Sequence, residues 1–177
     1  MKKLFEKLLN MKDLNEKESD FLVKQIFEGD IDTIKLSSIL TLLFKKSESF
    51  EEIFSFAKYL KSKSLKINIK GKLMDTCGTG GDNKNSFNFS TATSILLSTF
   101  DIKIVKHGNR SVTSKSGSFD VLESLGINTS SELSYIKKTL KTNGICFLFA
   151  PNFHGSLKQV AEVRKSLPFK TIFNLLG

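Results

Sequence analysis

The sequence predicts an α/β protein in which a small N-terminal helical bundle precedes a domain with a parallel sheet. Three observations support this fold class. Apolar residues recur at helical spacing throughout the first 64 residues. Beyond residue 70, short apolar runs that suit strands alternate with helical segments, and a glycine-rich stretch follows the first run. We therefore predict a helical bundle domain over 1–64 and an α/β domain over 70–177, with 165–177 able to return to the helical domain.

Four helices are predicted in the bundle, and three of them have a recognisable start signal. Asn15 with Glu18, and Ser49 with Glu52, have the spacing of capping boxes ahead of apolar stripes. Asp32 can cap the helix between them. The short joints between these helices are typical of a bundle.

The α/β domain is predicted to contain short strands separated by helices. The strands are predicted over 73–76, 102–105 and 145–149. The helices are predicted over 90–99, 119–125, 132–142, 157–166 and 171–176.

The charge balance favours anionic ligands without selecting one. The 177 residues include 27 Lys and Arg against 18 Asp and Glu, a formal net charge of +9. Such a balance attracts nucleic acid, anionic membranes and phosphorylated metabolites. The basic residues are scattered, with no block of five or six like charges, so a solvated lysine surface is the favoured interpretation and nucleic acid is an unlikely partner.

Compartment and redox state follow from what the sequence contains. No stretch approaches the roughly 20 apolar residues of a membrane span, and the N-terminus lacks the apolar run of a signal peptide. We expect a cytoplasmic protein with no membrane partner. Cys77 and Cys146 have no neighbour at metal-site spacing and are predicted to be buried free thiols, with a disulfide as the alternative.

The first chemical motif is the glycine loop from Gly78 to Asp82, directly after the first predicted strand. Its glycines allow close approach of the backbone, whose N–H groups can then hold phosphate oxygens. The spacing fits neither a dinucleotide fingerprint nor a Walker loop. A purely structural turn is the alternative.

The second motif places Ser86, Asn88, Ser90 and Thr91 at or just before a predicted helix N-terminus. Free N–H groups and the helix dipole favour an anion there, and a hydroxyl can ligate Mg²⁺ carried by a phosphate. Ordinary capping of the helix by Ser90 is the alternative.

The third motif runs from Lys106 to Ser114 after the second predicted strand and is dense in donors for phosphate and sugar hydroxyls. A polar surface loop is the alternative. The fourth, Ala150 to His154, follows the third strand, with Arg164 further along. Arg110 and Arg164 are the only arginines, and the planar fork of arginine suits phosphate and carboxylate groups.

Together and in this order, these motifs resemble the anthranilate phosphoribosyltransferases. The matching stretches are GTGGD at 78–82, NFST at 88–91, KHGNRSVTS at 106–114, GSFDVLESLGI at 117–127, FAPNFH at 149–154 and VRKSLPFKTIFNLLG at 163–177. The resemblance implies a nucleoside phosphorylase/phosphoribosyltransferase-like fold. It also implies a Mg²⁺-dependent homodimer that transfers the phosphoribosyl group of phosphoribosyl pyrophosphate to anthranilate in tryptophan biosynthesis, releasing pyrophosphate.

The resemblance also implies site residues, with Lys106 as the catalytic group that stabilises the leaving pyrophosphate. Anthranilate would meet Gly78, Asn109 and Arg164, and Mg²⁺ would meet Ser90. The residues implied for phosphoribosyl pyrophosphate are Gly78, Gly81, Asp82, Ser86, Asn88, Phe89, Ser90, Thr91, Lys106, His107, Gly108, Asn109, Arg110, Ser111, Val112, Thr113, Ser114 and Ser118.

The sequence departs from the family in length and at single positions. Family members continue beyond Gly177 with further strands and an adjacent Asp-Glu pair that binds Mg²⁺. We therefore expect a fragment that is incomplete at its C-terminus, inactive alone and exposing a hydrophobic sheet edge. Phe119, Pro168 and Lys170 replace the usual Ala, Gly and Arg.

Two other functions compete with this assignment. A pyrimidine-nucleoside-phosphorylase-like enzyme shares looser versions of single motifs, although Asn109 and Arg164 in their present contexts argue against it. A non-enzymatic nucleic-acid binder on the same scaffold would use the net charge of +9, but it has no need of the intact GTGGD and KHGN motifs.

Overall fold

The computed structural model describes residues 1–29, 31–78, 87–110 and 117–176. Contacts within the chain divide it into two compact units. The helical unit comprises Met1–Ser64 together with the chain from His154 onward, and the α/β unit comprises Leu65–Phe153. The predicted fold class, a helical bundle followed by a parallel-sheet α/β domain, is confirmed.

The two units contain, in chain order, α1 (Lys2–Leu9), α2 (Glu16–Phe27), α3 (Thr33–Lys46), α4 (Phe50–Lys63), α5 (Phe89–Ser98), β1 (Ile104–Gly108), α6 (Ser118–Ser124), α7 (Leu133–Asn143), β2 (Ile145–Phe149), α8 (Ala150–Phe153), a 3₁₀ helix (Gly155–Val160), α9 (Ala161–Ser166) and α10 (Ile172–Leu175). Among the described residues, no helix combines the length and apolarity needed to cross a membrane.

The bundle helices begin at the predicted caps. The Asn15 side chain accepts a hydrogen bond from the Glu18 N–H at 3.0 Å, and the Glu18 carboxylate accepts one from the Asn15 N–H at 2.9 Å. Ser49 and Glu52 form the second capping box, and Asp32 caps α3. Each cap satisfies N–H groups that have no partner inside the helix, which explains why these boundaries were readable from sequence.

The helical unit has one continuous apolar core. Side chains from α1 to α4 form most of it, and the chain from His154 onward contributes Val160, Val163, Ile172 and Phe173. The Phe173 ring meets the rings of Phe27 and Phe56 edge-on, with centroids 5.9 and 5.5 Å apart. Such aromatic packing stabilises a core beyond the area that it buries.

A buried ion pair links the end of α3 and the start of α4 to the connection between α1 and α2. Lys46 at the end of α3 donates to Glu52 of α4 and to Asp13, each at 2.7 Å. The Glu52 carboxylate also accepts the Leu14 N–H at 3.0 Å. Burial lowers the pKa of Lys46, but the hydrogen bonds that its ammonium donates to Asp13 and Glu52 outweigh burial and raise the pKa above its ordinary value. A charge pair this deep is stable only because both partners are fully hydrogen-bonded.

The α/β unit is built on a two-stranded parallel ladder. β1 pairs with β2 in register from Ile104 opposite Ile145 to Gly108 opposite Phe149. Helices cover both faces: α7 packs on the face that includes Cys146, and α6 packs on the face that includes Phe147. The alternation of β2 side chains between the two clusters is the pleat of a strand buried on both sides.

Three predicted elements differ in the structure. The strand predicted over 73–76 is a single parallel bridge between Met74 and Ile104, because the chain leaves the sheet at Asp75. The second strand lies over Ile104–Gly108 instead of 102–105, since its pairing with β2 continues to Phe149. The helix predicted over 157–166 begins as a 3₁₀ helix, and α8 was not predicted.

The α/β unit leaves large apolar side chains exposed on and around α5. Phe89, Leu96 and Phe100 are each at least 60% exposed. A soluble domain rarely leaves such side chains grouped together without a covering partner.

Candidate functional site

The candidate site lies where the parallel strands end in the α/β unit. Asp75 and Cys77 follow the Met74 bridge, and His107 lies near the end of the neighbouring β1. The His107 Nδ1 atom and the Asp75 Oδ2 atom are 2.5 Å apart. Polar side chains therefore meet at the carboxyl ends of the strands, which is where α/β proteins bind ligands.

The ionisation of Asp75 reflects this pairing. Burial raises the pKa of its carboxyl, but the hydrogen bond to His107 and the charges of His107 and Lys106 outweigh burial and hold the pKa below its ordinary value. The carboxylate is therefore negatively charged in the folded protein at neutral pH.

Lys106 is the buried cation of the site. It occupies the middle of β1, and only 1% of its surface is exposed. Burial lowers the pKa of its ammonium group, while the charge of Asp75, and that of Cys77 when its thiol is ionised, raise it in part. A desolvated ammonium interacts more strongly with an anion than an exposed one does.

The start of α5 is tied to the segment that leads into the glycine loop. Thr76 donates its hydroxyl to the Ser90 carbonyl at 2.7 Å and lies 2.5 Å from the Ser94 hydroxyl. Asn88 occupies the N-cap position without a side-chain cap bond, so the alternative in which Ser90 caps α5 is wrong. Ser90 lies instead in the first turn, after Asn88 and Phe89, with Thr91 buried.

Gly108 allows the end of β1 to meet the start of α6. A Cβ atom at Gly108 would lie 3.2 Å from the Ser118 Cβ and 3.4 Å from a ring carbon of Phe119. The Asn109 carbonyl accepts the Phe119 N–H at 3.4 Å. Phe119 itself is buried against the ring of Phe149, which accounts for a large residue at this position.

The two arginines have intramolecular partners in the structure. Arg110 forms an ion pair with Glu123 at 2.6 Å, and its guanidinium lies 5.5 Å from the centre of the Phe149 ring. Arg164, in the helical unit, lies over the Phe173 ring at 5.2 Å, and burial lowers its pKa. Both guanidinium planes are thereby oriented before any ligand binds.

Several predicted site residues lie outside the described residues. These are Gly81, Asp82, Ser86, Ser111, Val112, Thr113 and Ser114. The structure thus shows the edges of both predicted loops, at Gly78 and at Asn109 with Arg110, and the helix starts that follow them.

Two features of this site were not predicted from the sequence. Cys77 is exposed and not buried as predicted, because the chain leaves the sheet at Asp75 and residue 77 belongs to the loop. No functional role was predicted for Asp75, although it lies near the end of a predicted strand. Its partnership with His107 could have been found only from the register of two strands that lie about thirty residues apart in the chain.

Comparisons with known proteins agree with this geometry. The glycosyl transferase family model for the helical bundle domain matches residues 2–64, and the model for the a/b domain matches residues 70–177. The anthranilate phosphoribosyltransferase of Caldicellulosiruptor saccharolyticus is 45% identical over 178 residues, which cover 100% of this chain and 53% of that protein.

Solved structures give the same result. The crystal structure of anthranilate phosphoribosyltransferase from Thermus thermophilus superposes with a TM-score of 0.86 at 30% identity, over 98% of this chain and 53% of that one. The Saccharomyces cerevisiae enzyme in complex with phosphoribosyl pyrophosphate and Mg superposes with a TM-score of 0.85 at 31% identity, over 98% of this chain and 52% of that one. The chain spans about half the length of these relatives. On the strength of both family models and of relatives similar along its whole length, the chain belongs to the anthranilate phosphoribosyltransferase family.

Proposed function

We propose that the protein transfers the phosphoribosyl group of phosphoribosyl pyrophosphate to anthranilate and releases pyrophosphate, a step of tryptophan biosynthesis. The observation that carries this proposal is the meeting of the strand ends at Asp75 and His107, beside buried Lys106 and the start of α5. The relatives named as anthranilate phosphoribosyltransferases support it, as does the yeast relative solved with phosphoribosyl pyrophosphate and Mg.

Lys106 is proposed as the group that stabilises the leaving pyrophosphate. Negative charge grows on pyrophosphate as the bond to the ribose breaks, so catalysis depends on preorganised positive charge. Lys106 is held in β1 and is almost fully buried, so little reorganisation is needed when that charge develops. The aromatic amine of anthranilate is a neutral nucleophile and requires no strong base in the site.

The remaining residues are proposed to position the substrates, as the sequence resemblance implies. Gly78, Asn88, Phe89, Ser90, Thr91 and Ser118 would surround the phosphoribosyl group together with the loop residues of both motifs. Asn109 and Gly78 would face the anthranilate ring. Arg164 would meet the anthranilate carboxylate, and its guanidinium is already oriented by Phe173.

Mg²⁺ is proposed to enter with the pyrophosphate. Mg²⁺ takes oxygen ligands and in phosphate sites retains few protein ligands. The hydroxyl of half-buried Ser90, in the first turn of α5, fits that requirement. When bound, the ion would neutralise part of the charge of the pyrophosphate. We also propose that the protein is a cytoplasmic homodimer.

Loss of anthranilate fluorescence on addition of phosphoribosyl pyrophosphate and Mg²⁺ tests the proposal, with protein made from the complete gene. We expect Lys106→Met to lower kcat about 10²–10³-fold, as for other groups that stabilise developing charge. Lys103→Met is the matched control, because Lys103 is exposed and lies three residues away, and its activity should be unchanged. Arg164→Ala should raise KM for anthranilate about 10-fold or more, the effect of losing a charged hydrogen bond.

A folded protein that neither consumes anthranilate nor binds phosphoribosyl pyrophosphate in calorimetry would overturn the proposal. Equal losses in the Lys106→Met and Lys103→Met variants would remove Lys106 from the catalytic role.

A further inference from the structure

We propose that Asp75, Cys77 and His107 form a binding site for a transition-metal ion of the zinc class. The three residues offer one carboxylate oxygen, one thiol sulfur and one imidazole nitrogen, and these ligand atoms all lie within 4.8 Å of one another. This site differs from the oxygen-only environment proposed for Mg²⁺ at Ser90. No motif spacing indicated it, because its ligands come from two separate strand ends.

The chemistry of the donors selects the class of ion. Mg²⁺ and Ca²⁺ prefer oxygen ligands, whereas Zn²⁺ and Co²⁺ bind thiolate, imidazole and carboxylate together. Three protein ligands leave one position of a tetrahedral ion open to water or to an exogenous oxygen. The cluster therefore suits an exchangeable ion that can take a further ligand.

Two of the three ligands are positioned in advance. His107 is held in β1 by the ladder to β2, and Asp75 is held against His107 by their hydrogen bond. The Asp75 carboxyl is partly exposed, so it can separate slightly from the imidazole to admit an ion. Cys77 is exposed, and its sulfur lies within 4.8 Å of the ligand atoms of both.

The charges around the cluster favour a divalent cation in spite of Lys106. Asp75 and the thiolate of Cys77 supply two negative charges, and the buried Lys106 ammonium opposes them with one. Burial and the charge of Asp75 raise the pKa of Cys77, so the metal-free thiol is protonated at neutral pH. Binding must then release a thiol proton, and the affinity rises with pH.

The metal site lies next to the glycine loop that is proposed to bind substrate. Cys77 directly precedes Gly78, the first residue of the glycine loop. An ion held there would be bound by the residue next to Gly78, which is proposed to contact both substrates. This consequence rests on the proposed function, whereas the metal site itself does not.

Titration of the protein with Co²⁺, with its thiols kept reduced by a phosphine, tests the site. We expect a thiolate-to-cobalt charge-transfer band in the near ultraviolet that saturates at one ion per chain and disappears on addition of Zn²⁺. Cys77→Ser should abolish the band, and His107→Gln should weaken Co²⁺ binding at least about tenfold. Cys146→Ser is the matched control: Cys146 is a buried thiol whose pKa burial raises to about 11, and its loss should leave the band intact.

Absence of the band in the unmodified chain, its persistence in Cys77→Ser, or its loss in Cys146→Ser would each overturn the proposal. A second measurement covers the case in which a variant does not fold. In the unmodified chain, Zn²⁺ but not Mg²⁺ should slow alkylation of Cys77, and equal rates with and without Zn²⁺ would contradict the site. Neither measurement uses phosphoribosyl pyrophosphate or anthranilate, so failure of the metal site is distinguishable from failure of the proposed function.

Discussion

The helical unit and the α/β unit use their buried residues for different purposes. The helical unit buries one continuous apolar core and satisfies its buried charges internally, as in the group formed by Lys46, Glu52 and Asp13. The α/β unit buries two small apolar clusters and Lys106 in the middle of β1, and it holds the Asp75–His107 pair near the ends of its strands. Burial in the first unit produces stability, and burial in the second prepares charged groups for a ligand.

The same difference appears on the surfaces of the two units. Caps and interhelical ion pairs close the ends of the bundle helices. In the α/β unit, α5 carries large exposed apolar side chains, and its N-cap residue makes no side-chain cap bond. The start of α5 is tied instead to the segment before the glycine loop, through the hydrogen bond from the Thr76 hydroxyl to the Ser90 carbonyl.

The largest expected effect on stability is in the helical unit. Glu52→Ala should destabilise the protein by about 3–5 kcal/mol, because it leaves the buried Lys46 ammonium without its buried partner. Denaturant unfolding measures the loss, and hydrogen exchange should accelerate in the helical unit. Glu51→Ala, an exposed carboxylate on the same helix, is the control. Similar losses of stability in the two variants would mean that the buried ion pair stabilises the protein no more than an exposed carboxylate does.

A moderate effect on stability is expected where the end of β1 meets the start of α6. Gly108→Ala should cost about 1–3 kcal/mol, because the new methyl group overpacks against Ser118 and Phe119 and shifts the start of α6. Gly155→Ala is the control, since no atom of the described residues lies within 4 Å of a Cβ atom there. Unfolding followed by hydrogen exchange in each unit would show whether the loss is confined to the α/β unit. If Gly108→Ala left the stability unchanged, the contact between residue 108 and the start of α6 would have room for a methyl group.

A smaller effect is expected at the helix caps. Asn15→Ala should cost about 1 kcal/mol, since it removes the acceptor for the Glu18 N–H at the start of α2. Asn10→Ala is a useful comparison, because the Asn10 side chain donates to a carbonyl at an exposed helix end. Thermal unfolding distinguishes the two variants, and a larger loss for Asn10→Ala would contradict the importance of the capping box.

The smallest effect is expected in the pH dependence of the α/β unit. The folded-state pKa of Asp75 is lowered, so its stabilising contribution is present above the unfolded-state pKa and is lost as pH falls through the folded-state pKa. Asp75→Asn should therefore flatten the loss of stability below about pH 4. Asp101→Asn, at an exposed carboxyl of the same unit, is the control. An unchanged acid profile in Asp75→Asn would show that solvent screens the pair with His107.

Local signals account for most of what was predicted correctly. The capping boxes at Asn15 and Ser49, and strand β2 over its full length, were readable because each depends on residues close in the chain. The length of the strand predicted at 73–76 was overestimated. Whether a residue pairs depends on a neighbouring strand, which the local pattern does not reveal. The same limitation displaced the start of β1 by two residues and concealed the exposure of Cys77.

The sequence by itself determined the fold class, the helices of the bundle, strand β2 and the motifs that identify the family. These depend on periodicity, capping and spacing, which act over a few residues. Tertiary structure alone decided the Lys46–Glu52–Asp13 group, the partnership of Asp75 with His107 and the approach of Cys77 to both. Each of these requires two distant segments to be brought together by packing, and the free energy of that packing belongs to the whole unit and to no single stretch of sequence.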